Sequence, residues 1–297
     1  MAPTRLATRL KSALYGAGST VSRWIARSFS HGRVGPLVAD EIRRRSWARP
    51  ITTEIRGSHV SFHAPSEVAD WRIRTAATKE PDMIDWIDRI PHGSVLWDVG
   101  ANVGIFTVYA ARARHLRVVA CEPSIFNLET LVRNLALNDV THLVSVMPLP
   151  ISDRDDAAIL EYSSTDVGGA FVEFRSGADG RPSVVAHPTL CCSLDTLVAR
   201  FKLPAPTHLK IDVDGAEVAV LKGAANALSH VQQVMVETAA GPHGDPIRDL
   251  LRGTGFEFVR RAASPLATDP RYSALGNDQW QRPGRQLMER RPRESPT

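Results

Sequence analysis

Apolar segments of strand length alternate with segments of helical length from residue 94 onward, and this alternation restricts the chain to few folds. It predicts an α/β fold with a doubly wound, Rossmann-like parallel sheet. Ligands of such sheets bind beyond the carboxyl ends of the strands. The predicted strands are "SVLWDV", "RVVACE", "LVSVMPL", "HLKIDV" and "VQQVMVE"; the predicted helices run from about Ile105 to Arg114, Ser124 to Asn138 and Glu217 to Leu228; "PIRDLLRGTGFEFVRR" predicts a helix, a glycine turn and a strand.

Less regular segments flank this alternation and suggest three parts. Residues 1–45 are predicted to be a short N-terminal extension, residues 46–263 the folded domain, and residues 264–297 an Arg- and Pro-rich tail. Inside the domain, "ITTEIRGSHVSFHA" predicts one or two strands and "PDMIDWIDRI" a helix. Residues 151–193 predict an irregular region that holds a hairpin or two.

The basic residues are concentrated at the two ends of a chain whose formal net charge is +4. The first 39 residues contain no Asp or Glu. Within this stretch, residues 1–33 are predicted to form a poorly ordered leader, with an organellar import segment or a membrane-surface helix as the alternative. The middle of the chain is close to balanced, which disfavours nucleic acid as a partner.

Cysteine content and hydropathy bear on the compartment. The chain has three cysteines, two of them adjacent, which is not a disulfide framework and favours a reducing, cytoplasmic location. It has no uncharged apolar run of about 18 residues, so no membrane-spanning helix is predicted.

The stretch "LWDVGANVGIF" is the most informative motif. A dinucleotide fingerprint, G-x-G-x-x-G, needs glycines where this chain has Asn102 and Ile105. The actual pattern is Asp98-x-Gly100-x-Asn102-x-Gly104, after an apolar strand and before a helix. Glycines permit close backbone approach to a ligand, and a helix N-terminus binds anions. An acid at the strand end suits an ammonium group, so the pattern favours S-adenosylmethionine.

Two further acids follow the next two strands in register. Glu122 ends the second strand, where a carboxylate can accept both ribose hydroxyls. Asp153 follows the third strand and is predicted to accept a hydrogen bond from the adenine amino group. Strand-end acids are often only solvated, so the prediction depends on finding all three together.

The chain resembles the FkbM-type S-adenosylmethionine-dependent methyltransferases over roughly residues 70–260. The resemblance implies a class I methyltransferase fold and, usually, O-methylation; known acceptors include a polyketide hydroxyl, and many members act in glycan or lipid pathways. Two positions depart from the usual pattern: Asp214, where the family often has Glu, and Cys121, where it often has an aromatic residue. The matching pieces are "WDVGANVGIFTVYAA", "ACEPSIFNLETLVRNLALN", "ISD", "SLDTL", "HLKIDVDGAEVAVLKGA" and "VMVE", with "RIRTAATKEPDMIDWI" upstream.

The candidate catalytic residues follow the fourth strand. Strand alternation puts Lys210, Asp212 and Asp214 on one face. Asp212 is predicted to be the base near the transferred methyl group, with Lys210 as its ion-pair partner. Glu217 is a third catalytic candidate, and as the first residue of a helix it has an equally good structural explanation.

Other acids are predicted to bind the acceptor. Asp214 and Glu237, the latter at the end of "VMVE", are assigned to it. Glu80, in Lys79-Glu80-Pro81, is predicted to cap the cofactor pocket. An Asp212/Asp214 pair lacks an obvious third metal ligand, so no metal is predicted.

Three functions compete at this point. The first is methylation of a hydroxyl on a small molecule, glycan or lipid. The second is a non-catalytic methyltransferase-fold module in a complex, with a basic N-terminus that tethers it or contacts a membrane surface. The third, a nucleic-acid methyltransferase, is disfavoured because the chain has no N-P-P-[YFW] or D-P-P-Y motif.

Overall fold

The computed structural model describes residues 34–47, 49–169, 172–175, 183–263 and 275–284. The chain divides into two compact units, Met1–Arg49 and Pro50–Thr297. The described part of the first unit is helix α1 (Val34–Trp47), which carries exposed charge pairs at i,i+4 spacing such as Glu41 with Arg45. The end of the predicted extension is therefore helical, while the basic leader, residues 1–33, lies outside the described residues.

The second unit begins with a hairpin. Strands β1 (Ile51–Ile55) and β2 (Ser58–Phe62) pair antiparallel, so the one or two strands predicted here are two. The turn residues Arg56 and Gly57 have φ of 50° and 79°, the positive values that a two-residue type I′ turn requires. Helices α2 (Glu67–Lys79) and α3 (Pro81–Arg89) follow.

The remaining elements alternate as predicted. The strands are β3 (Val95–Val99), β4 (Arg117–Cys121), β5 (Val144–Met147), β6 (Asp156–Tyr162), β7 (Val172–Arg175), β8 (Val185–Cys191), β9 (His208–Ile211), β10 (Gln233–Ala239), β11 (Glu257–Ala263) and β12 (Leu275–Gln281). The helices are α4 (Ile105–Arg114), α5 (Ile125–Leu137), α6 (Leu194–Ala199), α7 (Glu217–Lys222) and α8 (Asp245–Gly253).

Seven of the described strands form the central sheet, in the order β11-β12-β10-β9-β3-β4-β5. Strands β3, β4, β5, β9 and β10 are parallel, and β12 is antiparallel to both of its neighbours. The chain leaves β3 first toward β4 and β5, and later returns to the other side as β9 and β10. This confirms the predicted doubly wound, Rossmann-like α/β fold and puts its switch point between β3 and β9.

Strand alternation divides the core between the two faces of the sheet. On β3, Leu96 belongs to one buried cluster, with residues of α4 and α5. Its neighbour Trp97 belongs to the other, with residues of α7 and α8. Both residues are fully buried, as expected for a strand covered on both faces.

Two predicted elements differ from the structure. The helix predicted from Glu217 to Leu228 ends at Lys222, and a 3-10 turn (Ala227–Ser229) follows. At the helix end, a Cβ on Gly223 would overlap the carbonyl oxygen of Ser152. A glycine that allows two backbones to meet interrupts an otherwise helical sequence.

The second difference is β12, which lies within the segment predicted to be tail. Its sequence, "LGNDQWQ", lacks an apolar run, yet Asp278 is completely buried. Arg248 and Arg261 approach its carboxylate at 3.1 and 2.6 Å. The strand is thus buried partly through Trp280, which packs in an apolar cluster, and partly through charge pairs, which hydrophobic periodicity does not detect.

The irregular region predicted for residues 151–193 contains a small sheet. Strands β6, β7 and β8 form it in the order β7-β6-β8, with both pairings antiparallel. An isolated bridge from Ile151 to Cys192 connects the two ends of this region.

Candidate active site

Two adjoining cavities open where β3, β4 and β9 end. The space inside them, counted up to the open solvent at their mouths, is about 440 and 520 Å³. The residues that line both are Arg72, Gly100, Asn102 and Asp212. The first, the Lys210 cavity, is also lined by Ala76, Lys79, Glu80, Ala101, Val103, Ile105, Phe106 and Lys210; the second, the Glu122 cavity, by Glu122, Pro123, Asn127, Gly169, Val213 and Asp214.

The loop between β3 and α4 lines both cavities through Gly100 and Asn102. Gly100, Asn102 and Gly104 have φ of 85°, 51° and 85°, the left-handed region that favours glycine and asparagine. A Cβ on Gly100 would overlap the carbonyl oxygen of Asp212, and one on Gly104 would overlap the Leu131 side chain. Both glycines therefore permit close packing within the protein, whereas the sequence predicts close approach to a ligand.

Glu122 lies immediately after β4 and is 4% exposed. Its Oε2 accepts a hydrogen bond from the Asn102 amide at 2.7 Å, and its Oε1 accepts one from the Ser124 amide at 2.8 Å. Burial raises the pKa of Glu122 to about 7, although these hydrogen bonds act in the opposite direction. The carboxylate is thus held rigidly against the loop on the wall of its cavity.

Asp98 and Lys210 form a buried ion pair beneath the Lys210 cavity. The Lys210 Nζ lies 2.8 Å from Asp98 Oδ1 and 3.6 Å from Asp212 Oδ2. Thr107 donates a hydrogen bond to Asp98 Oδ2 at 2.6 Å. Burial alone would lower the pKa of Lys210, but the carboxylates of Asp98 and Asp212 outweigh it and raise the pKa above its ordinary value. Lys210 is therefore a fixed cation between a buried and a half-exposed acid.

The sequence predicts that Asp98 contacts an ammonium group of the ligand, whereas in the structure it contacts Lys210. The side chain of Asp98 is completely buried, and it does not line either cavity in the described part of the chain. The nearest cation is Lys210, so Asp98 acts on the cavity through that residue.

Acidic side chains surround Asp212, whose own side chain is 37% exposed. Burial, together with Asp212 and Glu80, raises the pKa of Glu237 to about 8. Burial, together with Asp212 and Asp214, raises the pKa of Glu217 to about 7. The structure thus brings the predicted catalytic and acceptor-binding acids into one electrostatically coupled group.

Besides Asp98, two more predicted cofactor residues line neither cavity in the described part of the chain. Asp153 is half-exposed, and its carboxylate contacts Ser152 and Arg154 rather than the cavity walls. Gly104 begins α4 and packs against α5 through Leu131.

Arg72 is a charged cavity residue that sequence reasoning missed. It lies on α2, among the buried residues Ala69, Ile73 and Ala76. That spacing predicts an inward-facing position, and an arginine on the buried face of a helix was the available signal.

Two features are absent from the part of the chain that the structure describes. No group of three or more His, Cys, Asp or Glu residues there has the geometry to hold a metal ion. No helix there is long and apolar enough to cross a membrane.

Comparisons with known proteins identify the family and several relatives of this chain. Residues 98–258 match the family described as "Methyltransferase FkbM domain". The hexuronic acid methyltransferase AglP of Haloferax volcanii is 30% identical over 205 residues, which cover 68% of this chain and 80% of that protein. Methyltransferase sdnD of Sordaria araneosa is 29% identical, over 60% of this chain and 79% of that protein. The AMB antimetabolite synthetase AmbE of Pseudomonas aeruginosa is 30% identical over 62% of this chain, which is 10% of that much longer protein.

The fold and the matches define a methyltransferase built on the class I, Rossmann-like sheet. Within that class, the chain belongs to the FkbM methyltransferase family, because the family match covers more than half of its length.

Proposed function

We propose that this protein is an S-adenosylmethionine-dependent O-methyltransferase that acts on a hydroxyl of a glycan, lipid or natural product. The observation that carries the proposal is the position of Glu122 and Asp212. Glu122 lines one cavity, which we assign to the nucleoside part of the cofactor, and Asp212 lines both that cavity and its neighbour. A ligand that spans both cavities brings its far end beside Asp212.

The residues present fit the cofactor. Glu122 offers a rigid, buried carboxylate for ribose hydroxyls, and Arg72 has a buried Nε without a hydrogen-bond partner. Gly100 and Asn102 hold the loop that borders both cavities. When bound, S-adenosylmethionine supplies an electrophilic methyl group on a sulfonium centre. The protein then has to orient two partners and accept one proton.

Asp212 is the proposed proton acceptor for the acceptor hydroxyl. Its carboxylate lies at the junction of the cavities, and the Lys210 Nζ 3.6 Å away restrains it. Glu217 lies beside it, hydrogen-bonded to the Gly215 amide at 3.2 Å, and is proposed to hold the loop that carries Asp212. In this arrangement Asp212 acts as a general base toward the acceptor hydroxyl.

Asp214, Glu237 and Glu80 are proposed to bind the acceptor. Glu80 pairs with Lys79 at 3.0 Å on the wall of the Lys210 cavity. With its raised pKa, Glu237 is protonated near neutral pH, so it can donate a hydrogen bond to an acceptor oxygen. A polyhydroxylated acceptor suits these three acids, because the carboxylates of Asp214 and Glu80 can accept hydrogen bonds from its hydroxyls while Glu237 donates one. The name of AglP, a hexuronic acid methyltransferase, also supports a sugar acceptor.

Titration calorimetry with S-adenosylmethionine, with NAD as the comparison ligand, tests the cofactor. We expect micromolar binding of S-adenosylmethionine and none of NAD. Glu122→Ala removes charge-assisted hydrogen bonds and should weaken binding about 10-fold to 100-fold. Glu129→Ala, a change at an exposed carboxylate on α5, is the matched control and should leave affinity unaltered.

The acceptor is tested by incubation with methyl-labelled S-adenosylmethionine and a panel of hydroxylated glycans and lipids. The ¹³C shift of the transferred methyl distinguishes O-methyl from N-methyl products. Failure of well-folded protein to bind the cofactor would instead favour a non-catalytic module that acts in a complex.

A further inference from the structure

Arg72 is a cation without a partner at the centre of the site. Its Nε is buried and makes no hydrogen bond, and among the described residues its guanidinium has no ion-pair partner. An unpaired buried guanidinium nitrogen is costly, because desolvation is not repaid by any contact. Arg72 lines both the Lys210 cavity and the Glu122 cavity. The missing acceptor therefore belongs on the cavity side.

Arg72 has no ion-pair partner among the described residues although several carboxylates line the same cavities. Carboxylates are plentiful nearby, since Asp212, Glu80, Glu122 and Asp214 line the same two cavities. Glu80 pairs with Lys79 and Asp212 approaches Lys210, so the cations other than Arg72 already have acids beside them. A ligand carboxylate would be repelled by these acids unless a free cation compensated it.

Guanidinium geometry suits that ligand. Arginine presents parallel N–H donors that match a carboxylate in a bidentate pair. Arg74, on the same helix, illustrates the alternative: it is exposed and already paired with Asp70 at 2.9 Å. The two arginines on α2 thus differ in whether an acid of the protein already occupies the guanidinium.

We propose that Arg72 is the carboxylate-binding residue of the active site. This inference rests on the proposed function, because it assigns one group of the same ligands. The carboxylate has two possible sources: the methionine part of S-adenosylmethionine, or a uronate group on a sugar acceptor. Both present the same chemistry to Arg72, and they are separated by experiment.

The cofactor arm compares S-adenosylmethionine with its decarboxylated analogue by titration calorimetry. If the cofactor is the source, the wild-type protein binds the decarboxylated analogue about 10-fold to 100-fold more weakly. Arg72→Met weakens S-adenosylmethionine binding by a similar factor and leaves the analogue unaffected. Arg72→Lys loses less affinity for S-adenosylmethionine than Arg72→Met does. Arg74→Met changes the affinity for neither S-adenosylmethionine nor the analogue.

The acceptor arm uses methyl glucuronide and methyl glucoside, titrated in the presence of S-adenosylhomocysteine. If the acceptor is the source, Arg72→Met weakens glucuronide binding and removes the preference over glucoside. The proposal is overturned if Arg72→Met weakens the carboxylate-bearing and carboxylate-free ligands equally, or weakens none of them. Absence of S-adenosylmethionine binding in the wild-type protein would instead count against the proposed function itself.

Discussion

Lys210 and Asp98 are register partners on β9 and β3, and the Lys210 Nζ lies 2.8 Å from Asp98 Oδ1 with both side chains at most 2% exposed. The pair connects the two strands that flank the switch point of the sheet. Because neither charge reaches water, each depends on the other for stabilisation. The same lysine is 3.6 Å from Asp212, so the pair also links the core to the proposed base.

Replacing one partner of this pair should destabilise the fold. Lys210→Met leaves the Asp98 charge buried without its counter-ion, and we expect a loss of about 3–5 kcal/mol in the free energy of unfolding. Urea denaturation measures it. Asp98→Asn in the Lys210→Met background removes the orphaned charge and should recover part of the loss. If the losses in unfolding free energy of the two single variants simply add in the double variant, Lys210 and Asp98 do not interact directly.

Gly100→Ala should disrupt the site far more than an alanine at another left-handed glycine. The new Cβ would overlap the Asp212 carbonyl oxygen, in addition to the cost of positive φ. Gly93 has nearly the same φ, 81° against 85°, and open space around its Cβ position. We expect Gly93→Ala to cost about 1–2 kcal/mol.

Thermal unfolding and titration with S-adenosylmethionine compare the two variants. Gly100→Ala should show the lower Tm and a clear loss of cofactor affinity, because Asp212 must move to accommodate it. Equal effects of the two substitutions would mean that backbone strain alone explains the requirement for glycine at position 100.

Much of the site was predictable because its residues follow buried strands. Apolar runs locate β3, β4 and β9, and the carboxyl ends of parallel strands meet at one edge of a sheet. Glu122 and Asp212 were found in this way, and the structure brings both to the cavities. The partner of Asp98 was not predictable, since strand order depends on tertiary packing and puts Lys210 opposite it.

The sequence did not predict β12 or the role of Arg72, because both depend on charges whose surroundings are set by tertiary packing. Strand β12 buries Asp278 against Arg248 and Arg261, contacts that join segments far apart in the chain. Arg72 was passed over because a single arginine on a helix is usually solvated, and only the structure shows that its Nε is buried. Hydrophobic periodicity does not record either feature.

The raised pKa of Glu237 predicts a pH dependence of stability. Its value rises from 4.5 to about 8, chiefly through burial and next through Asp212 and Glu80. Between these two values the native state holds a proton that the unfolded state has lost, so this contribution to stability falls as pH rises toward 8. We expect Tm to decrease between pH 5.5 and pH 8.5. Glu237→Gln should reduce the decrease.

Glu217 and Glu122, each with a pKa raised to about 7, act in the same direction, so part of the decrease should persist in the variant. Scanning calorimetry at both pH values measures the difference. An identical pH profile for Glu237→Gln and the wild-type protein would show that Glu237 ionises normally. Glu161→Gln, on β6, is a control away from the acidic group.

Asp212→Asn should separate catalysis from cofactor binding. The amide preserves the shape of the side chain but cannot accept the acceptor's proton, and a general base contributes about 10²–10⁴-fold to the rate. We therefore expect kcat to fall by that factor while the Kd for S-adenosylmethionine changes little. Single-turnover kinetics with an acceptor from the panel gives the chemical rate, and calorimetry gives the affinity. Asp249→Asn, at an exposed aspartate on α8, is the matched control. A loss of affinity that accounts for the whole loss of rate would assign Asp212 to binding, and the base would then have to be sought among its acidic neighbours.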